Sequence, residues 1–174
     1  MTMPQVRPGL PADAESLTEL SRSTFIDTYA VHNTPEDMAL YLRQSLTVDQ
    51  WRAILGDATH TVLLLEDAEG LAGYVELRQG FVPDCVKTEE PLELSRLYVR
   101  RNRFGKGLGA LLMCAAIEVA QTRGATGVWL GVWQKNERAI AFYKKSGFLV
   151  VGAQIFPLGK DLQEDWVMMK ALTA

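Results

Sequence analysis

Residues 102–124 read NRFGKGLGALLMCAAIEVAQTRG. Glycines 105, 107 and 109 alternate through a short loop. The run that follows places Leu108, Leu111, Leu112, Ala115 and Val119 at helical spacing, with Gly124 just past its end. The preceding LELSRLYV, residues 92–99, has the composition of a strand. A strand, a glycine loop and a helix in that order bring unpaired N–H groups and the positive end of a helix dipole to one point, which suits a phosphate. Two features strengthen this reading. The first helical turn after Gly107 carries no Asp or Glu, and Arg100, Arg101, Arg103 and Lys106 crowd the approach. The plainer alternative is a glycine-rich turn with a solvated basic rim.

Outward from this unit the chain alternates between the two periodicities. QVRPGL reads as a short strand, and PADAESLTELSRSTFIDTYA as a helix with Pro11 in its first turn. A second helical region covers residues 35–56 and splits near SLTVDQW, where Thr47 or Ser45 could cap the next turn. THTVLLLED and GLAGYVELRQG read as an antiparallel pair, and FVPDCVKTEEP as a loop. After the glycine loop and its helix come GVWLGVW as a buried strand and KNERAIAFYKKSG as a short helix stopped by Gly147. FLVVGAQIF and EDWVMMKAL are two closing strands. This order predicts one α/β (α+β) domain over residues 1–174, with a mixed six- to seven-stranded sheet flanked by about four helices.

Composition narrows the function. With 48% hydrophobic and 22% charged residues in 174, the chain is composed like an ordinary globular domain. No apolar run reaches the ~18 residues of a membrane span and no secretory segment opens the sequence, so a cytoplasmic location is expected. Cys85 and Cys114 with His32 and His60 are too few for a disulfide scaffold or a zinc site, which argues against metal catalysis. The net charge of −3 hides a division: residues 1–99 hold 7 Lys/Arg against 16 Asp/Glu, residues 100–174 hold 11 against 5. That division suggests a cationic partner for the first part and an anionic one for the second. Basic stripes interleaved with aromatics are missing, which argues against nucleic acid.

Three anion-binding patterns compete for the loop. A Walker loop needs Ser or Thr after its Gly-Lys, but Gly107 follows Lys106. A dinucleotide fingerprint fits Gly105, Gly107 and Ala110, yet residues 119–136 contain no acid to hold a ribose. The third pattern is a coenzyme A pyrophosphate loop of the form Q/R-x-x-G-x-G/A.

ELSRLYVRRNRFGKGLGALLM (93–113) followed by LGVWQKNERAIAFYKKSGF (130–148) resembles the two central motifs of the GNAT superfamily of acetyl-CoA-dependent N-acetyltransferases. FIDTY, HNTPEDM and the closing LGKDLQEDWVMMKAL extend the likeness towards the polyamine (spermidine/spermine) branch of bacteria and archaea. The resemblance implies the GNAT fold, acetyl-CoA as co-substrate, no metal, and direct transfer to a small cationic amine. It assigns cofactor contacts to Leu97, Tyr98 and Val99, to Phe104, Gly105, Lys106, Gly107, Leu108 and Gly109, and to Asn136, Ala139 and Tyr143. Phe104 departs from the pattern, standing where the family has Gln or Arg.

An alkylammonium, with its pKa near ~10, must lose a proton before it can attack a thioester. By resemblance Glu93 is the first candidate for the base, Glu76 the reserve, and water serves in many relatives. The same resemblance places at Leu97 to Val99 the backbone N–H groups that steady the oxyanion where a strand splays. Tyr143, seven residues beyond Asn136 and on the same helix face, is the implied acid for the departing thiolate. Asp27, Glu36, Asp37, Asp84, Glu89 and Glu90, or Asp161, Glu164 and Asp165, could receive the amine's charge, and Phe25, Tyr29 and Phe81 its aliphatic part. A protein N-terminus or lysine as acceptor, and a non-catalytic acyl-CoA sensor, are the alternatives. An exposed edge strand near the C-terminus leaves room for a homodimer.

Overall fold

The computed structural model describes residues 3–173. Seven strands form one sheet in the order β1-β2-β3-β4-β5-β7-β6. They are β1 Gln5–Pro8, β2 His60–Asp67, β3 Gly70–Arg78, β4 Pro91–Val99, β5 Gly127–Trp133, β6 Leu149–Leu158 and β7 Asp161–Ala171. Every pair is antiparallel except β4 with β5. The helices are α1 Ala14–Tyr29, α2 Pro35–Ser45, α3 Val48–Gly56, α4 Leu108–Thr122 and α5 Glu137–Lys145. Their number exceeds the expected four because the region 35–56 is fully divided. Thr47 and Gln50 close a capping box at the start of α3, while the preceding α2 has its own Thr34 cap and Pro35 in its first turn.

Two apolar layers sandwich the sheet. On one face α4 and α5 pack Leu112, Met113, Ala116 and Tyr143 against Leu63, Val75, Leu94 and Leu130. On the other, α1 to α3 pack Leu17, Leu20, Phe25, Leu42 and Trp51 against Val62, Leu64 and Tyr74. Each fully buried aliphatic side chain contributes on the order of 1.5–3 kcal/mol, so both layers resist opening.

The middle of the sheet departs from regularity in two places, and both shape the site. Glu76 of β3 faces Arg96 while the next residue, Leu77, faces Leu94, so Ser95 is an extra residue, a β-bulge in β4. The bulge resets the alternation: Leu92 and Leu94 face α4, and beyond it Leu97 and Val99 do so, leaving Arg96 and Tyr98 on the α1 face. Beside it, the parallel pairing of β4 with β5 covers only Pro91–Glu93 against Gly127–Trp129. From Leu94 onward the two strands part.

Candidate active site

The parting strands open a cavity of about 890 Å³. Its walls are β4 from Leu94 to Val99, Gly131 and Val132 of β5, the loop before α4, the cavity face of α5, and the end of α1 with the turn after it. Backbone groups on the β5 side of β4 have no partner strand here, so a ligand with amide groups can add to the exposed edge.

The glycine loop closes one end. Gly105 and Gly107 adopt φ of 78° and 75°, a left-handed conformation that L side chains resist, and Gly107 caps α4 with no side-chain acceptor on its first N–H groups. These amides therefore face the cavity with the helix dipole behind them. The basic rim is narrower than its sequence suggests. Arg103 is buried in an ion pair with Asp67 (2.6 Å) and a second with Glu69 (2.7 Å), and Arg100 donates to the Leu71 carbonyl at 2.8 Å. Lys106 does not line the cavity, whereas Arg101 does, together with Arg138 of α5.

Arg138 is a residue that sequence reading missed. Its guanidinium lies 3.3 Å from the centroid of the Phe104 ring, so where the loop has no polar side chain of its own, α5 lays a cation across the phenyl face. Arg138 is held below the usual arginine range by burial and by the neighbouring Arg101. Two guanidiniums side by side, with no carboxylate paired to either among the described residues, define a site for an anion.

The first two turns of α5 supply the next wall. Asn136 caps the helix, its Oδ1 accepting from the Ala139 N–H at 3.2 Å, which leaves its amide N–H groups available to the cavity. Two turns on, Tyr143 is 8% exposed, between Phe142 and Phe148, and burial raises its phenol well above the ordinary value, so it stays protonated. Leu97, Tyr98, Val99, Phe104, Gly105, Gly107, Leu108, Gly109, Asn136, Ala139 and Tyr143 all line this one cavity; of the predicted cofactor set, Lys106 alone does not.

Glu93 does not reach the cavity. It is the cross-strand partner of Arg78 and forms a two-pronged pair with it, Nε to Oε2 at 2.5 Å and Nη2 to Oε1 at 3.1 Å. Glu76 is fully buried and held between His60 Nδ1, at 2.8 Å, and the Arg96 guanidinium. Burial raises its carboxyl, but the His60 hydrogen bond and the Arg96 charge outweigh that and hold it below the usual range. Neither glutamate lines the cavity.

The opposite end of the cavity has a different character. Thr24, Asp27, Thr28, Tyr29, Val31 and His32 line it. Of the other suggested acids, Asp37 is used inside the fold, accepting from the Lys160 N–H at 2.7 Å and from the Thr34 hydroxyl at 2.9 Å. Glu36, Asp84, Glu89 and Glu90 lie outside the lining, as does Phe81.

Cations at a glycine loop, an uncovered strand edge and a buried phenol along one channel define a protein that binds a long phosphorylated ligand and acts at its far end. The chain matches the profile of the "Acetyltransferase (GNAT) family" over residues 15–148. It is 32% identical over 160 residues to an uncharacterized N-acetyltransferase of Lactobacillus delbrueckii subsp. lactis, covering 92% of each chain. It is equally similar to an uncharacterized N-acetyltransferase of Mycobacterium bovis, covering 92% of this chain and 98% of that one. Its fold superposes on the PaiA N-acetyltransferase of Thermoplasma acidophilum, solved in complex with coenzyme A, with a TM-score of 0.79 at 22% identity over 98% and 99% of the two chains. The chain belongs to the GNAT family of acetyltransferases.

The loop geometry carries a direct consequence. Gly107→Ala forces a side chain into the left-handed region at a cost of about 1–2 kcal/mol, with open space around the new methyl group. Relief of that strain turns the amides away from the cavity. Calorimetry is expected to show acetyl-CoA affinity reduced by about tenfold, the equivalent of 1.4 kcal/mol, with the fold retained by circular dichroism.

Proposed function

We propose that the acyl acceptor is a primary amine on a small cationic molecule, with polyamines the leading class. The observation that supports this reading is the polarity of the cavity. Arg101 and Arg138 stand at the loop end, whereas the α1 end offers the exposed Asp27 carboxylate and the aromatic faces of Tyr29 and His32. An ammonium is attracted to the carboxylate and its methylene chain to the rings. The unequal charge of the two parts of the sequence has the same sense.

In this reading the pyrophosphate rests on the Gly105–Gly109 amides beneath Arg101 and Arg138, and the pantetheine arm lies along β4 beside Asn136. The thioester carbonyl reaches the unpaired N–H groups of β4, which steady the oxyanion. The amine nitrogen forms the C–N bond, the C–S bond breaks, and Tyr143 gives its proton to the thiolate.

A thiol-release assay with acetyl-CoA against spermidine, spermine, simple diamines, amino acids and a lysine peptide tests the acceptor. Release with the polyamines and diamines is expected. Release with the peptide alone would move the acceptor to a protein amine. Arg138→Ala is expected to weaken acetyl-CoA binding severalfold and to flatten its dependence on salt, since an anion contact is lost. An unchanged salt dependence would place the phosphates elsewhere.

A further inference from the structure

A second cavity, of about 280 Å³, lies beside the first, and His32 lines both. Its other walls include Trp133 and Lys135, where β5 gives way to α5, and Asp161, Gln163 and Glu164 at the start of β7. One of these residues carries a polar atom that the fold leaves unused. Gln163 is 6% exposed, and its Oε1 is buried without a hydrogen-bond partner among the described residues.

The orientation of this amide is fixed by its neighbours. Gln163 Nε2 donates to Asp161 Oδ2 at 3.0 Å and to Asn33 Oδ1 at 2.6 Å, and Asn33 Nδ2 in turn donates to the Tyr29 carbonyl at 2.8 Å. A flipped amide would set its oxygen against the Asp161 carboxylate, so the nitrogen stays engaged and the oxygen is the atom left over. A buried acceptor without a donor is costly, and it marks a place for a donor from outside the fold. Charge decides which kind of donor. The lining sets two carboxylates, Asp161 and Glu164, against one lysine, and Lys135 pairs with neither among the described residues but lies 5.9 Å from the centroid of the Trp133 ring. A neutral hydroxyl would satisfy the amide oxygen and leave the carboxylates unmatched. An ammonium answers the oxygen, the carboxylates and the indole face together.

We propose that this side cavity receives the distal ammonium of a diamine or polyamine whose reacting nitrogen lies in the main cavity, the methylene chain passing His32. The inference rests on the reading of the acceptor as a cationic amine, and it narrows that reading to an acceptor with a second charge at a set distance. The hydrogen bonds from Gln163 through Asn33 to the Tyr29 carbonyl join the two ends of such a molecule. Tyr29 and His32 line the acceptor end of the main cavity, so a cation held at Gln163 steadies the turn after α1 that positions the reacting end. No bond is made or broken at the distal site. Its contribution is to binding, and a monoamine forgoes it.

Straight-chain diamines of increasing length, each beside the alkylamine of the same length, are to be assayed with acetyl-CoA on the wild type, Gln163→Met and Glu164→Gln. In the wild type, kcat/KM for the best diamine is expected to exceed that for its alkylamine by about tenfold or more, the scale of one charge-assisted hydrogen bond. Gln163→Met should bring that ratio close to one and Glu164→Gln should lower it severalfold, in both cases through KM. The methionine also gives up the bonds to Asn33 and Asp161, so Glu164→Gln, at an exposed position, tests the site without that loss. A preference for the alkylamine at every length, or a ratio that neither variant moves, would overturn the inference and leave the acceptor reading standing. In parallel, the side-chain amide resonances of protein carrying nitrogen-15 glutamine, with CoA bound, are expected to include one pair that vanishes in Gln163→Met. That pair should shift saturably with the diamine and stay in place with the alkylamine; a pair that ignores both overturns the inference on its own. If no amine releases CoA, the acceptor reading falls, and the amide titration alone decides whether the side cavity holds an ammonium.

Discussion

Tyr143→Phe is expected to lower kcat by about 100-fold while leaving the Kd for acetyl-CoA within about twofold. The magnitude is that of a lost general acid, typically 10²–10⁴-fold. The lower end applies because a thiol is a good leaving group: with a pKa near 8.5 it departs as thiolate far more readily than an alkoxide would. The phenyl ring keeps the edge contacts with Phe142 and Phe148, so the cavity wall and the fold are retained. Thioesters of more acidic thiols should lose less, because they need protonation less. Steady-state kinetics with calorimetry separates the two quantities. Equal kcat in the two proteins would remove Tyr143 from the acid role, and a parallel loss of affinity would make it a binding group.

How much of this site was legible in the sequence depends on how far each residue's position follows from local pattern. The loop and its helix, and the Asn136–Tyr143 pair, are local. Glycines at alternate positions and a seven-residue spacing on one helix dictate their own geometry. Glu93 and Glu76 stand outside the cavity lining for a reason that no local pattern contains. Their partners Arg78 and Arg96 are chosen by the β3–β4 register, and the bulge at Ser95 decides which face Arg96 and Tyr98 take. Simple alternation from Leu92 and Leu94 would send both of them towards α4. The same applies to Arg138, which meets Phe104 only because α5 packs beside the loop. Asp165 was visible as one acid among three near the end of the chain. Its burial follows from the inward alternation of Gln163, Asp165 and Val167 on β7.

Loss of Arg96 should be the most destabilising single change near the site. Arg96→Met leaves Glu76, fully buried, with His60 as its one remaining polar partner, and breaking a buried pair from one side costs about 3–5 kcal/mol. At about 2–4 °C per kcal/mol for a domain of this size, the midpoint should fall by roughly 10 °C. The Arg96 guanidinium also lies 5.3 Å from the centroid of the Trp51 ring, a contact that methionine replaces only in part. The pH dependence has a definite sign. In the wild type the folded-state pKa of Glu76 is depressed, so its contribution is present above the unfolded value near ~4.3 and is lost as pH falls through the folded one. In Arg96→Met that depression weakens and burial drives the carboxyl upward, so the gap between variant and wild type should be widest near pH 8 and close towards pH 4.5. Combining Arg96→Met with Glu76→Gln removes the unpaired charge and should recover much of the loss. Urea unfolding of the four proteins at both pH values measures this; a single variant as stable as wild type at pH 8 would show that Arg96 does not hold the Glu76 charge. The cavity should respond as well, because Arg96 follows the bulge that turns Tyr98 towards α1 and starts the free edge of β4. The ion pair beneath the sheet and the open strand edge above it are thus set by the same inserted residue, Ser95, and a variant that loosens the first should lower kcat through the second even at temperatures where it remains folded.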